Sequence, residues 1–149
     1  MGFSYSVIES SRAKVVIRVE DFTASAGGVD ITWADLAPLF GTPDDTDGTG
    51  AVTGLRPAAK TDLTLKAITS SHNHTTTRTA NLQWAGGTPS ELWPIPHNAM
   101  DIDFPAGGLK FDGGTPHATN AVTVDASSGN MTTEKGWVIL LTFGVSTTL

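Results

Sequence analysis

The sequence predicts an all-β protein, namely an antiparallel β-sandwich of the jelly-roll-like kind with at most one short helical turn. Short segments that alternate apolar and polar residues recur along the chain, and Gly, Pro, Asp and Asn residues separate them. The acidic residues comprise eleven Asp against four Glu, and Thr, Gly and Ser abound, which favours strands and turns over helices. No internal repeat supports a propeller or a solenoid. At 149 residues, we expect one domain over 1–149, long enough to bury roughly 70% of its unfolded surface.

The first residues predict either an edge strand or an arm, over 1–12, that lies on a neighbouring molecule. Phe3, Tyr5 and Val7 share one face of an extended chain. The next segment, Lys14 to Val19, is rich in β-branched residues and predicts a strand that ends before Gly27 and Gly28.

One short helix is predicted, followed by a long loop. Thr32 and Asp35 have the spacing of a capping box, so we expect a helical turn over Trp33 to Leu36 that stops at Pro38. Residues 41–58 are polar and rich in glycine without any periodicity, which predicts an exposed loop.

From Asp62 onward the alternation predicts a regular series of strands. The stretch from Trp93 to Gly114 organises this part, because its Pro and Gly clusters predict corners between strands. Within it, Asp101 and Asp103 lie opposite the apolar face, so we expect them to point to solvent and to deter edge pairing. The predicted strands are Leu63 to Ile68, Arg78 to Trp84, Leu92 to Ile95, Met100 to Phe104, Leu109 to Phe111, Ala121 to Asp125 and Trp137 to Val145.

The last of these strands is apolar on both faces. Its sequence GWVILLTFGV places Val138 and Leu140 on one side, and Ile139 and Phe143 on the other. A strand of this kind must be covered on both sides. Two explanations stand, a central strand of the sheet or a subunit interface of an obligate oligomer.

Composition and charge exclude several classes of function. The net charge of -6 and the scattered basic residues argue against a phosphate-binding surface for nucleic acid. No run approaches the roughly 18 to 20 apolar residues of a membrane span, and a secretory signal pattern is missing at the N-terminus. We therefore expect a soluble protein with no membrane partner. The absence of cysteine excludes disulfides and thiolate metal sites.

Candidate groups for chemistry are sparse. His72 and His74 could share one face of a strand and bind a metal, but a solvated loop explains them better. Three aspartates between Asp44 and Asp47 resemble part of a calcium loop without its closing Glu. His97 and His117 lie beside turn residues, and no nucleophile motif is present. We expect no catalytic residue, no bound metal and no cofactor, and hence no enzymatic activity.

The four tryptophans suggest an alternative function as a carbohydrate- or receptor-binding module, for example in a tail fibre or spike. By alternation Trp84 and Trp137 belong to the core. Trp33 and Trp93 lie beside loops and prolines, where each is either a rim or core aromatic or an exposed ring that could stack on a sugar.

From about Asp62 to Val145 the order of segments resembles the small β-sandwich decoration or cement proteins of tailed bacteriophage heads. The segments that carry this resemblance are DLTLKAIT, RTANLQW, ELWPIP, DIDFPAGGLKFDGG, AVTVDASSG and GWVILLTFGV. Such proteins bind and stabilise rather than catalyse.

The resemblance implies a virion structural protein that is made in the host cytoplasm and placed on the capsid surface. Its partners would be itself, as a homotrimer or another small homo-oligomer, and the major capsid protein, whose neighbouring subunits it clamps. We expect the contact with partners to use apolar side chains of the N-terminal segment, the helical turn and the last strand, namely Phe3, Tyr5, Trp33, Leu36, Phe40, Trp137, Ile139 and Phe143.

Overall fold

Two antiparallel β-sheets enclose the core in a computed structural model of the chain, as the alternation predicts. The structure describes residues 3–21, 28–40, 60–71, 79–86, 90–96, 99–105, 107–126 and 136–146. The predicted loop at 41–58 lies outside these ranges, as do His72, His74, His97 and the aspartates Asp44 to Asp47.

Ten strands and one α-helical turn make up the regular structure of the described residues. The strands are β1 (Phe3–Ser10), β2 (Val15–Asp21), β3 (Val29–Thr32), β4 (Leu63–Ser71), β5 (Ala80–Trp84), β6 (Ser90–Ile95), β7 (Met100–Asp103), β8 (Leu109–Lys110), β9 (Asn120–Ala126) and β10 (Val138–Val145). The helix α1 covers Trp33–Leu36, and 3₁₀ turns cover Ala37–Phe40 and Lys60–Asp62.

The strand order is that of a jelly roll. One sheet has the order β1-β2-β10-β4-β7, with β8 also paired to β4, and the other has the order β3-β9-β5-β6. Strands therefore pair from the outside of the chain inwards, β2 with β10, β3 with β9, β4 with β7 and β5 with β6, and every pair is antiparallel. This nested pairing is a long hairpin rolled into two sheets, which confirms the predicted fold class.

The buried side chains of both sheets form one cluster. Inward positions alternate along much of the strands, as in β10, where Ile139 and Leu141 are fully buried while Leu140 between them is partly exposed. Each fully buried aliphatic side chain contributes about 1.5–3 kcal/mol by leaving water. The core therefore follows directly from the period-2 pattern of the sequence.

The predicted helical turn is present, but its cap differs from the prediction. The Thr32 side chain does not cap the helix; its Oγ1 donates instead to Asp35 Oδ2 at 3.1 Å. Pro38 ends the α-helix without ending the helical path, because a 3₁₀ turn continues to Phe40. A proline early in a new turn lacks only an N–H that would have no partner there.

Strand β3 is an element that the sequence analysis missed. It covers Val29–Thr32, four residues directly after Gly27 and Gly28, where the sequence predicts a break. The burial of Ile31 and the exposure of Asp30 follow the ordinary alternation. The short run Val-Asp-Ile-Thr therefore contains the pattern that predicts a strand.

Candidate functional site

Seven of the eight residues predicted to contact a partner lie in the core of the chain itself. Their exposed fractions are 6% or less, and the eighth, Tyr5, is partly exposed. A side chain without exposed surface has no area to offer a partner, so the prediction of an interface built from them is corrected. The seven are Phe3, Trp33, Leu36, Phe40, Trp137, Ile139 and Phe143.

Strand β10 is a central strand of its sheet. This position explains the apolar residues of its inner face without a subunit interface. It lies between β2 and β4, and Ile139, Leu141 and Phe143 point inward with no exposed surface. Val138 and Leu140 point outward and keep partial exposure. The inner face is therefore core, and only the outer face remains to be explained.

The outer face of the six-stranded sheet carries an apolar centre. Val16 of β2 and Ala67 of β4 flank the outward residues of β10, and all are partly exposed. We call Val16, Ala67, Val138, Leu140 and Thr142 the outer stripe. An outward face is ordinarily polar, so a stripe of this composition at the middle of a sheet marks a surface suited to contact.

The outer face of the four-stranded sheet has the opposite character. Asp30, Asn81, Gln83, Thr123 and Asp125 alternate with the buried residues of β3, β5 and β9. Thr123 Oγ1 donates to Asp30 Oδ1 at 2.7 Å, which satisfies two of these groups on the sheet itself. This polar face is that of a sheet exposed to water, so the contrast between the two sheets singles out the outer stripe.

Charged side chains border the outer stripe on both sides. On β2, Arg18 Nε pairs with Glu20. On β7, Asp101 and Asp103 are exposed, as predicted, and Thr69 Oγ1 donates to Asp101 Oδ1 at 3.2 Å. The β2 side of the stripe thus has the ion pair of Arg18 with Glu20, and the β7 side has two carboxylates.

Trp33 closes one end of the sandwich rather than offering a platform for a sugar. Its ring lies 5.9 Å from the rings of both Phe40 and Phe111, and Lys60 Nζ stands 5.3 Å from its centroid. Its Nε1 donates to the backbone oxygen of His117 at 2.8 Å. With 6% of its surface exposed, Trp33 does not present the open ring face that the alternative function needs.

The His117 side chain forms hydrogen bonds with the backbone of its own turn. Its Nδ1 accepts hydrogen bonds from the backbone N–H groups of Thr119 and Asn120, at 3.1 and 3.0 Å. These bonds hold the turn that precedes β9. Within the described part of the chain, His, Asp and Glu side chains form no group of three or more that could hold a metal ion.

The N-terminal segment is an edge strand of this chain. β1 pairs antiparallel with β2 from Phe3 to Ser10, with an irregularity between Val7 and Glu9. Tyr5 OH donates to Asp35 Oδ2 at 2.5 Å and so joins β1 to α1. The predicted alternatives of strand and arm therefore resolve to a strand packed on its own chain.

Aromatic residues lie at two edges where the sheets meet. At the edge where β1 meets α1, burial and then the hydrogen bond to Asp35 raise the pKa of Tyr5 above its ordinary value. At the other, Trp93 of β6 meets Phe104, which follows β7, with ring centroids 5.0 Å apart. Trp93 remains partly exposed, unlike the other three tryptophans.

Comparison of the chain with known protein families, with curated proteins and with solved structures finds no match. Among the described residues, no helix has the length and the hydropathy that crossing a bilayer requires.

Proposed function

We propose that this protein is a structural component of a virus particle, which self-associates and reinforces the particle shell by binding to its surface. The single observation that carries the proposal is the difference between the two outer sheet faces. The outer stripe has the apolar composition of a contact surface, while the face of the four-stranded sheet is that of a surface in water.

Three further properties support a binding role over a catalytic one. The topology is a jelly roll, an architecture common in viral capsid and lectin domains, although fold alone does not establish function. The described carboxylates of β7 are exposed on one face rather than converging in a cleft. The order of the segments from Asp62 to Val145 also resembles that of phage decoration proteins.

Density-gradient fractionation of lysates from cells that produce the particle tests this proposal. We expect the chain to sediment with particles at a constant ratio to the main shell protein, and to rebind to particles from which it has been stripped. Recovery of the chain only among free proteins, together with no rebinding, would contradict the proposal.

Carbohydrate binding remains a second candidate because of Trp93. Its indole is partly exposed beside Pro94 and Pro96, at the edge where β6 meets the end of β7. An aromatic ring next to a rigid backbone can stack on a sugar ring. A glycan array comparing the protein with Trp93→Ala tests this function, since glycan signals that disappear in the variant support it.

A further inference from the structure

The registers of three strand pairs place a cation and a carboxylate at the two ends of one row across the outer stripe. Arg18 lies opposite Leu140, Leu140 opposite Thr69, and Thr69 opposite Asp101. Because adjacent strands lie about 4.8 Å apart, Arg18 and Asp101 stand about 14 Å from each other, with Leu140 and Thr69 between them. The row thus has a guanidinium group at its β2 end, where Glu20 already pairs with it, and a carboxylate at its β7 end.

We propose that the outer stripe is the contact surface for a second copy of this chain, packed face to face about a two-fold axis. The axis runs parallel to the strands, between β10 and β4. This rotation places β2 of each protomer over β7 of its partner. Arg18 then faces the partner's Asp101, and Asp101 faces the partner's Arg18, so one symmetric contact forms two ion pairs.

The charges select this axis over the other two-fold arrangement of stacked sheets. An in-plane axis perpendicular to the strands would lay β7 on β7, and would bring Asp101 and Asp103 near their own copies. Repulsion between these like charges disfavours that arrangement, and β7 has no cation that would compensate the carboxylates. Parallel strands in the two facing sheets are thus the arrangement that the register supports.

Arg18 can make this second contact while it keeps its first. Its Nε atom pairs with Glu20, which leaves the terminal nitrogens of the guanidinium group as donors. The Arg18 side chain is 46% exposed. Stacked sheets lie about 10 Å apart, a gap that an extended arginine and an aspartate span together.

The area of the face predicts a weak dimer. Four strands overlap about this axis, namely β2, β10, β4 and β7. At about 4.8 Å spacing and about 25 Å length they bury on the order of 500 Å² per protomer, below the roughly 800 Å² of a standard interface. Free protein should therefore dimerise reversibly, and binding side by side on a shell would strengthen the contact through effective concentration.

Charge reversal with rescue tests the contact by sedimentation velocity over a range of protein concentrations. We expect Arg18→Asp and Asp101→Arg each to weaken dimerisation at least about tenfold, because each brings like charges together twice. The double variant restores opposite charges and should return to within a few-fold of the original protein. Thermal unfolding of each variant establishes that the monomer is folded.

Asp103→Arg is the matched control. It makes the same change of charge on the same face of β7, but the β2 residue in its row is Val16 rather than a cation. We expect it to alter dimerisation far less than Asp101→Arg. Equal effects of the two variants, or failure of the double variant to recover, would overturn the proposal.

This inference specifies the self-association in the proposed function and rests on it, but the two can fail separately. A protein that is monomeric at all concentrations, or forms a trimer, overturns the two-fold contact. If that protein still binds particles, the proposed function stands; if it neither self-associates nor binds, both fail.

Discussion

Ser70 carries a hydroxyl group into the core, between Ile139 and Met100 of the neighbouring strands. The residue is 3% exposed, and within the described part of the chain its Oγ has no hydrogen-bond partner. Burying a hydroxyl group without a partner costs about 1–3 kcal/mol. Ser70 is thus a position where the core has not reached its most stable composition.

We expect Ser70→Ala to raise the free energy of unfolding by about 1 kcal/mol, because it removes the desolvated hydroxyl and leaves only a small void. Urea denaturation followed by tryptophan fluorescence measures the change. Ser71→Ala, the same substitution at the next and exposed position of β4, should have almost no effect. A loss of stability in Ser70→Ala alone would mean that the hydroxyl is satisfied.

The ionisation of Tyr5 makes the stability of the fold depend on pH. The raised pKa means that the folded chain holds the phenolic proton more tightly than the unfolded chain, whose tyrosine titrates near 10.0. The stabilisation is therefore fully present below pH 10 and is lost as the pH rises through the folded value. Because the sequence contains one tyrosine, its ultraviolet titration reports Tyr5 alone.

We expect the tyrosinate signal of the folded protein to appear above pH 10, and Asp35→Asn to bring it back towards the ordinary value by removing the carboxylate. Tyr5→Phe should cost about 1.5–3 kcal/mol at neutral pH, the contribution of a hydrogen bond to a charged group. It should also lessen the alkaline loss of stability. A titration midpoint at or below 10 in the original protein would contradict this account.

At the scale of elements, the turn between β7 and β8 depends on two glycines with different constraints. Gly107 and Gly108 both have φ of 93°, a conformation that costs other residues about 1–2 kcal/mol. A Cβ atom at Gly108 would stand 2.4 Å from the backbone oxygen of Leu65, whereas one at Gly107 would meet no atom within 4 Å. Backbone strain is thus common to both, and the clash is particular to Gly108.

We expect Gly107→Ala to lower the free energy of unfolding by about 1–2 kcal/mol, and Gly108→Ala to lower it by at least about 3 kcal/mol. The difference arises because the clashing atom belongs to the central region of β4 and cannot move aside. Chemical denaturation of the two variants measures it. Equal losses would show that β8 shifts away from β4 to relieve the contact.

At the scale of the whole molecule, the jelly roll makes the two ends of the chain unequal. β1 and β10 are both eight residues long. β1 is an edge strand whose one buried apolar side chain is Phe3, while β10 is central and buries Ile139, Leu141 and Phe143. Removal of β10 would separate β2 from β4 and expose the core.

We expect a chain shortened by residues 1–10 to unfold cooperatively with reduced stability, and a chain that ends before β10 to lose cooperative unfolding altogether. Circular dichroism and urea titration of the two truncated chains distinguish these outcomes. A cooperative transition in the chain without β10 would contradict the central role assigned to that strand.

Much of the fold was predictable because alternation is a local property. The strands from β4 to β10 match their predicted positions closely, and Asp101 and Asp103 point outward as expected. β3 was missed because four residues give little periodic signal. Its position beside loops in the sequence leaves open whether Trp33 is exposed or part of the core. It is buried because Phe40, Phe111 and the backbone of His117 contact it from other parts of the chain.

The sequence by itself determined which side chains face inward, where the turns lie and that β10 needs cover on both faces. Only the tertiary structure decided which strands pair, and with them that Arg18, Leu140 and Asp101 share one row. The physical reason is that period-2 alternation assigns a residue to a face but does not specify its neighbour across strands. That neighbour depends on long-range register, which the nested pairing of the jelly roll sets for the whole chain.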